Sequence, residues 1–188
     1  MSADGAGSDW TQRLSEVFAR LIAEIITAET LREETGGDLS PTQLAGLRFI
    51  RCHTGCDVQE LAAGLDVSHP AALKLLERLA KKRLVLRRTA ARDRRRAELT
   101  LSRAGERMAR AVCERQAARV RQILSEMPAA DVEALGRGLR QFIMAALDNP
   151  EIIENACLKC GREHDPLCLL HQARLRFAPE QKAASEQR

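Results

Sequence analysis

The chain of 188 residues is 45% apolar and 30% charged, enough for one sizeable domain or two small ones and too apolar for a disordered chain. Its apolar runs fall short of the roughly 18–20 residues that span a bilayer, and the opening "MSADGAGSDWTQ" lacks the basic and apolar regions of a secretory leader, which predicts a cytoplasmic protein. Net charge is +4, yet residues 74–96 hold eleven Lys and Arg against two acids, a local +9 that leaves −5 for the rest. Such a focused basic run suits a solvated face or a phosphate-binding surface, and so raises nucleic acid as a partner.

In chain order the elements read mostly as helix. After a Gly/Ser-rich start, Leu14, Val17, Phe18, Leu21 and Ile25 recur at the three- and four-residue spacing of one helix face, and Gly36 with Gly37 ends that helix. "SPTQLAGLRFI" opens a second helix with Ser40 as N-cap, Pro41 in the first turn and Gln43 three residues on, a capping box that Asp57 and Glu60 repeat in "DVQELAAGL". "GLDV" reads as the turn that leads to Ser68, a good N-cap for "HPAALKLLERLAKK". Two short helices joined by a tight turn form a helix-turn-helix, whose second helix is presented to a DNA groove.

The period then changes. "LVLRR" and "AELTL" are short β-type runs around the basic "TAARDRRR", so the segment predicts a hairpin with a charged tip, a wing. Ser102 caps a long helix that Pro128 stops, and Asp131 starts a further helix expected to end at Pro150. The apolar faces of the terminal helices, Leu14 to Ile25 at one end and Val120, Ile123, Leu124, Leu135, Leu139, Phe142 and Ile143 at the other, need cover, and a second copy of the chain supplies it most cheaply.

With these residues in view, the stretch from "SPTQLAGLRFI" through "DVQELAAGLDVSHPAALKLLERLAKKRLVLRRTAARDRRRAELTLSRAGERM" resembles the multiple antibiotic resistance regulator (MarR) family of winged helix-turn-helix repressors, most closely over residues 39–108. The features that carry it are the "SHPAALKLLERL" recognition helix, the tip Asp93-Arg94-Arg95 and the "LTLSRAG" that leads into the long helix. The resemblance implies a mainly α fold with a small β-hairpin wing and N- and C-terminal dimerisation helices. It also implies a homodimeric transcriptional regulator, a repressor, on a pseudo-palindromic DNA operator. It places Ser68, His69, Ala71, Ala72 and Lys74 near bases or phosphates and sends an arginine of the Asp93-Arg94-Arg95 tip into the minor groove, whose negative potential attracts arginine. Arg87, Arg88, Arg92 and Arg96 are assigned to phosphates, and His69 and Lys74 to base readout. Ser68 also has a purely structural role open to it as N-cap, and His69 one as an exposed first-turn residue. A small-molecule or redox effector is expected to control binding; the family's usual ligand position is the junction of winged unit and dimer helices, where no convergent polar set is visible in the sequence.

"CLKCGREHDPLCLLH" departs from the family. Cys157-x2-Cys160 followed by Gly161 reads as a metal knuckle, two thiolates with a glycine that lets the backbone turn around the ion. Cys168 completes a set of four with either His164 or His171, and zinc is the favoured ion. An iron–sulfur cluster that senses redox state, or thiol switching without metal, are the alternatives. Cys52 and Cys56, which flank His53 at the end of the second helix, are read chiefly as small hydrophobes, with a thiolate donated to the cluster as the functional alternative; Cys113 reads as packing.

An enzyme is not expected: four protein ligands leave a metal no open position, and no paired carboxylates, phosphate loop or Ser/His/Asp pattern accompanies them. A metal-dependent protein-interaction module is the remaining class, which the +9 segment disfavours. The expected organisation is a flexible start over 1–8, an N-terminal dimerisation helix over 9–38, a winged domain over 39–101, C-terminal dimerisation helices over 102–150, the Cys/His extension over 151–177 and a disordered tail over 178–188.

Overall fold

The computed structural model describes residues 3–89, 97–160 and 168–186, with side chains over 9–88, 97–157 and 168–177. The N-terminal helix runs as α1 (Ala3–Leu21), a wider π-helical segment (Ile22–Glu29) and α2 (Thr30–Thr35), and it stops where Gly36 turns left-handed at φ 59°. The hydroxyls of Thr30 and Thr35, both buried, donate to the carbonyls of Ile26 and Leu31, so neither is left unsatisfied on the buried side.

Helices α3 (Pro41–Cys52) and α4 (Val58–Leu65) each begin with the capping box that their sequences announce: the Ser40 and Asp57 side chains accept from the N–H of Gln43 and Glu60, whose side chains accept from the cap N–H groups. The turn into α5 (His69–Lys81) is made differently from the expectation. Gly64 belongs to α4, and the left-handed residue is Asp66, at φ 55°. Gly64 is required by packing, because a Cβ there would stand 1.9 Å from the Phe49 ring.

Strands β1 (Val85–Thr89) and β2 (Ala97–Leu101) pair antiparallel, with Arg87 opposite Leu99 and Arg88 opposite Glu98. The far edge of β2 is fastened to the α3–α4 connection: the Gly55 N–H donates to the Leu99 carbonyl (2.9 Å) and the Leu99 N–H to that of Cys56 (2.8 Å). The wing base is therefore bonded on both sides, with no open edge at Leu99.

Helix α6 (Arg103–Ser125) starts against the end of α5. The Ser102 hydroxyl accepts from the Gly105 N–H (3.0 Å) and donates to the Arg83 carbonyl (2.7 Å), and the Leu84 carbonyl lies where a Gly105 Cβ would be, 2.1 Å away. "LTLSRAG" thus closes the winged unit onto the long helix. One core joins Leu44, Leu47, Phe49 and Ile50 of α3, Leu61 of α4, Leu75, Leu76 and Leu79 of α5, Val85 and Leu99 of the wing, Ala109 and Val112 of α6 and Leu31 of α2. Arg48 of α3 also donates to Gln116 of α6.

Helix α7 (Ala129–Ala146) ends four residues before Pro150, and Pro150 opens α8 (Pro150–Cys160) instead of closing α7. Asn149 supplies the cap, its side chain accepting from the Ile152 N–H (2.9 Å), so "NP" is here a helix start. Helix α9 (Leu169–Glu186) packs on α8 and α7, and a second small core of Met144, Leu147, Ile153 and Ala173 is flanked by Ala156, Leu169, Leu170 and Phe177. Residues 178–186, read from the sequence as a tail, continue α9 in the backbone. Helix α8 also touches α3 and α4.

Candidate nucleic-acid interface

Helix α5 divides cleanly into two faces. Ala72, Leu75, Leu76 and Leu79 are buried, while Ser68, His69, Pro70, Ala71, Lys74, Glu77, Arg78 and Lys81 are exposed. Buried positions recurring at three and four seat the helix on the core, so the opposite stripe is free for a groove. Ala72 lies at 0% exposure, which removes it from the residues expected near bases or phosphates; its methyl belongs to the core because it falls one turn before Leu76. Ser68 does act as N-cap, accepting from the Ala71 N–H, and its side chain remains exposed.

Pro70 and Arg78 share the exposed stripe with Ala71 and Lys74, although the sequence reading did not single them out. Their signal was available in the spacing, since Arg78 is four residues beyond Lys74 and one turn further along the same face.

Arg87 and Arg88 are exposed on β1, on the wing base. Arg92, Asp93, Arg94, Arg95 and Arg96 lie outside the described residues. The strand pairing extends to Thr89 opposite Ala97. Recognition-helix face and wing therefore leave the same compact core, joined through the α5–β1 junction at Leu84.

Residues 39–97, the winged unit up to the start of β2, match the family model described as MarR family. Residues 39–97 are a MarR-family domain. Solved structures share the fold well beyond that segment. The Mycobacterium tuberculosis RV1404 structure superposes with a TM-score of 0.65 at 24% identity, covering 77% of this chain and 94% of that one. Bacillus subtilis YusO gives 0.64 at 23%, covering 77% and 99%. Streptococcus pneumoniae FabT, solved in complex with DNA, gives 0.62 at 21%, covering 73% and 98%. No match is found among curated proteins.

Around the MarR-family domain lie the remaining candidates. Cys56 is in the core, and burial, reinforced by the charges of Glu60 and Asp57, pushes its thiol from 9.0 up to about 12. Such a thiol stays protonated, the state of a small hydrophobe. The His53 ring stacks on Phe49 at 4.3 Å, with Nδ1 3.0 Å from the Phe49 carbonyl, and Cys52 is half-buried at the end of α3.

Cys157 and Cys160 lie in the last turn of helix α8, and Gly161, where the expected knuckle turns, lies outside the described residues. Asn149-Pro150 starts that helix, and Ile153 seats it on the second small core. Cys168 precedes α9, its carbonyl accepting from the Gln172 N–H, and His171 is exposed in the first turn. His164 lies outside the described residues. Among the described residues no three His, Cys, Asp or Glu side chains stand close enough to hold a metal ion.

One polar cleft of about 250 Å³ opens between the N-terminal helix and α6, lined by Glu29, Thr30, Glu33, Arg115, Arg119 and Gln122 among others. Across it the Arg115 guanidinium donates through Nε and Nη2 to one Glu33 oxygen (3.2 and 2.8 Å), which raises the already high Arg115 pKa. No described helix is long and apolar enough to cross a membrane.

Proposed function

We propose that the chain is a DNA-binding transcriptional repressor that works as a homodimer. The observation that carries this reading is the exposed stripe of α5, held on the core by Leu75, Leu76 and Leu79 and flanked by the basic strand of a wing. His69, Ala71 and Lys74 read base edges, Ser68, Arg87, Arg88, Arg92 and Arg96 hold phosphates, and Arg94, braced by Asp93 and aided by Arg95, enters the minor groove. Arg78 joins the phosphate set on the stripe's C-terminal half. That FabT and MepR structures are described as bound to DNA or an oligodeoxyribonucleotide supports the reading by fold.

Dimerisation rests on apolar surface that the single chain leaves open. Trp10, Leu14, Val17, Phe18, Leu21 and Ile22 form an exposed stripe on the N-terminal helix, and Val120, Ile123, Phe142 and Ile143 another on α6 and α7. A second copy covers both and sets two α5 helices about one DNA turn apart, roughly 34 Å, so the operator is a pseudo-palindrome. The cleft at Glu33 and Arg115 is the site for a small-molecule effector: an acidic ligand competes with Glu33 for the guanidinium and changes how the N-terminal helix sits on α6.

Charge reversal at the wing tests the proposal. Arg94→Glu with Arg95→Glu, measured by fluorescence anisotropy on duplex DNA, should lower affinity by about 100-fold or more and flatten its salt dependence, with helicity unchanged. Equal affinity in the variant and the native chain would remove DNA as the ligand of this wing.

A further inference from the structure

The N-terminal helix changes its winding at one place, between a surface left open to solvent and a part fixed on the core. Trp10, Leu14, Val17, Phe18, Leu21 and Ile22 form the exposed apolar stripe. Downstream, Thr30, Leu31 and Thr35 of α2 are buried, and Leu31 belongs to the main core. Between them, Ile22–Glu29 winds in π turns, whose hydrogen bonds span five residues instead of four, so each wide turn takes up about one residue more than an α turn. The winding then tightens within a few residues, because the Thr30 N–H donates to the Thr27 carbonyl, three residues back. Wide turns are rare and recur at functional sites. This segment ends at one, since Glu29 and Thr30 line the polar cleft on α6. Three ties hold the wide form: Ile26 is buried, the Arg32 guanidinium donates back across the segment to Glu24 (2.8 Å), and Glu33 holds Arg115 of α6 across the cleft.

We infer that Ile22–Glu29 is a hinge that switches between wide and regular winding, and so turns the apolar stripe of α1 about the helix axis. The downstream end stays in place, because Leu31 is seated in the core. A residue given back from a wide turn to regular helix therefore advances α1 by one α-helical step, about 100° of rotation and 1.5 Å of length. Rotation of that size carries Trp10, Phe18 and Leu21 away from the surface they face in the wide form, and the contact between copies opens. The Glu33–Arg115 pair is the latch. When it parts, whether by substitution or by an acid that takes the guanidinium, α6 loses its hold just beyond the end of the segment and regular winding is favoured. The output of the switch rests on the homodimer and effector readings above; the hinge itself does not.

The full-length chain carries its own reporter, because Trp10, its single tryptophan, lies on the stripe. Deletion of Ala23, which is exposed within the segment, closes one wide turn without rotating α1 relative to α2. The dimer should survive this in light scattering, with its dissociation constant within about twofold and Trp10 emission unchanged. Amide exchange in residues 22–29 should slow by about tenfold, because the segment no longer passes between two windings. Glu33→Gln should weaken the dimer by about tenfold or more and shift Trp10 emission in the native sequence, yet change the Ala23-deleted chain by less than about twofold. If that deletion lowers helicity in circular dichroism, Ala28 is deleted in its place. A deletion that splits a dimer formed by the native chain, exchange over residues 22–29 that is equal in both chains, or equal Glu33→Gln losses in both overturns the hinge. A native chain that runs as a monomer removes the homodimer instead, and exchange over residues 22–29 then decides the hinge.

Discussion

Two glycines show how single residues are set by contacts that local sequence does not display. Within helices, Gly64 and Gly105 look like costs in propensity. Each is where another part of the chain passes too close for a methyl group. Gly64→Ala pushes a Cβ into the Phe49 ring, which His53 backs by stacking, and should destabilise by about 1–3 kcal/mol. Gly105→Ala meets the Leu84 carbonyl, which is backbone and cannot rotate away, so its cost should be the larger, about 3 kcal/mol or more. Urea unfolding of both variants measures the order. Cys56 yields a pH prediction of definite sign. The folded thiol holds its proton to about pH 12, whereas the unfolded one releases it near 9, so the native chain loses stability as pH rises through that interval. Cys56→Ala should lose less over the same interval, and unfolding midpoints at pH 8 and pH 10.5 compare them. The thiol's state was not legible in "RCHTGC", because burial, not spacing, decides it.

Among elements, those with strong local signals were read correctly and those with a shared signal were not. Ser40-x-x-Gln43 and Asp57-x-x-Glu60 are reciprocal caps in the structure as in the sequence, since every partner lies within four residues. Asp57→Ala removes the acceptor for Glu60 N–H and should cost about 1 kcal/mol, read as a lower thermal midpoint with the circular dichroism of the folded state retained. Asn149-Pro150 is the opposite case. Proline ends one helix and opens the next with equal ease, and only the burial of Ile153 against Leu147 and Ala173 selects the second. That choice places Cys157 and Cys160 in the last turn of α8. The π-helical segment Ile22–Glu29 has no signature in its sequence, which carries the same three-and-four periodicity as its neighbours.

For the whole molecule, exposure is the informative quantity. Trp10 at 66% and Phe142 at 64% are large apolar side chains left in water by a single chain. For the proposed homodimer on DNA, Phe18→Asp or Phe142→Asp should give a monomer in light scattering and lower DNA affinity by about 100-fold, because one winged unit then binds one half-site. A dimer that survives both substitutions would place the interface elsewhere. The sequence by itself determined the winged helix-turn-helix, its caps, its basic hairpin and the apolar stripes of the terminal helices, since each is written as a repeat or a pair within a few residues. Tertiary structure decided which alanine of α5 faces the core, why Gly64 and Gly105 are glycines, how β2 is fastened to the α3–α4 connection, that α8 braces α3 and α4, and that a polar cleft joins Glu33 to Arg115. All of these depend on residues brought together from distant positions, as with the 82 residues that separate Glu33 from Arg115, and no local pattern encodes such a meeting.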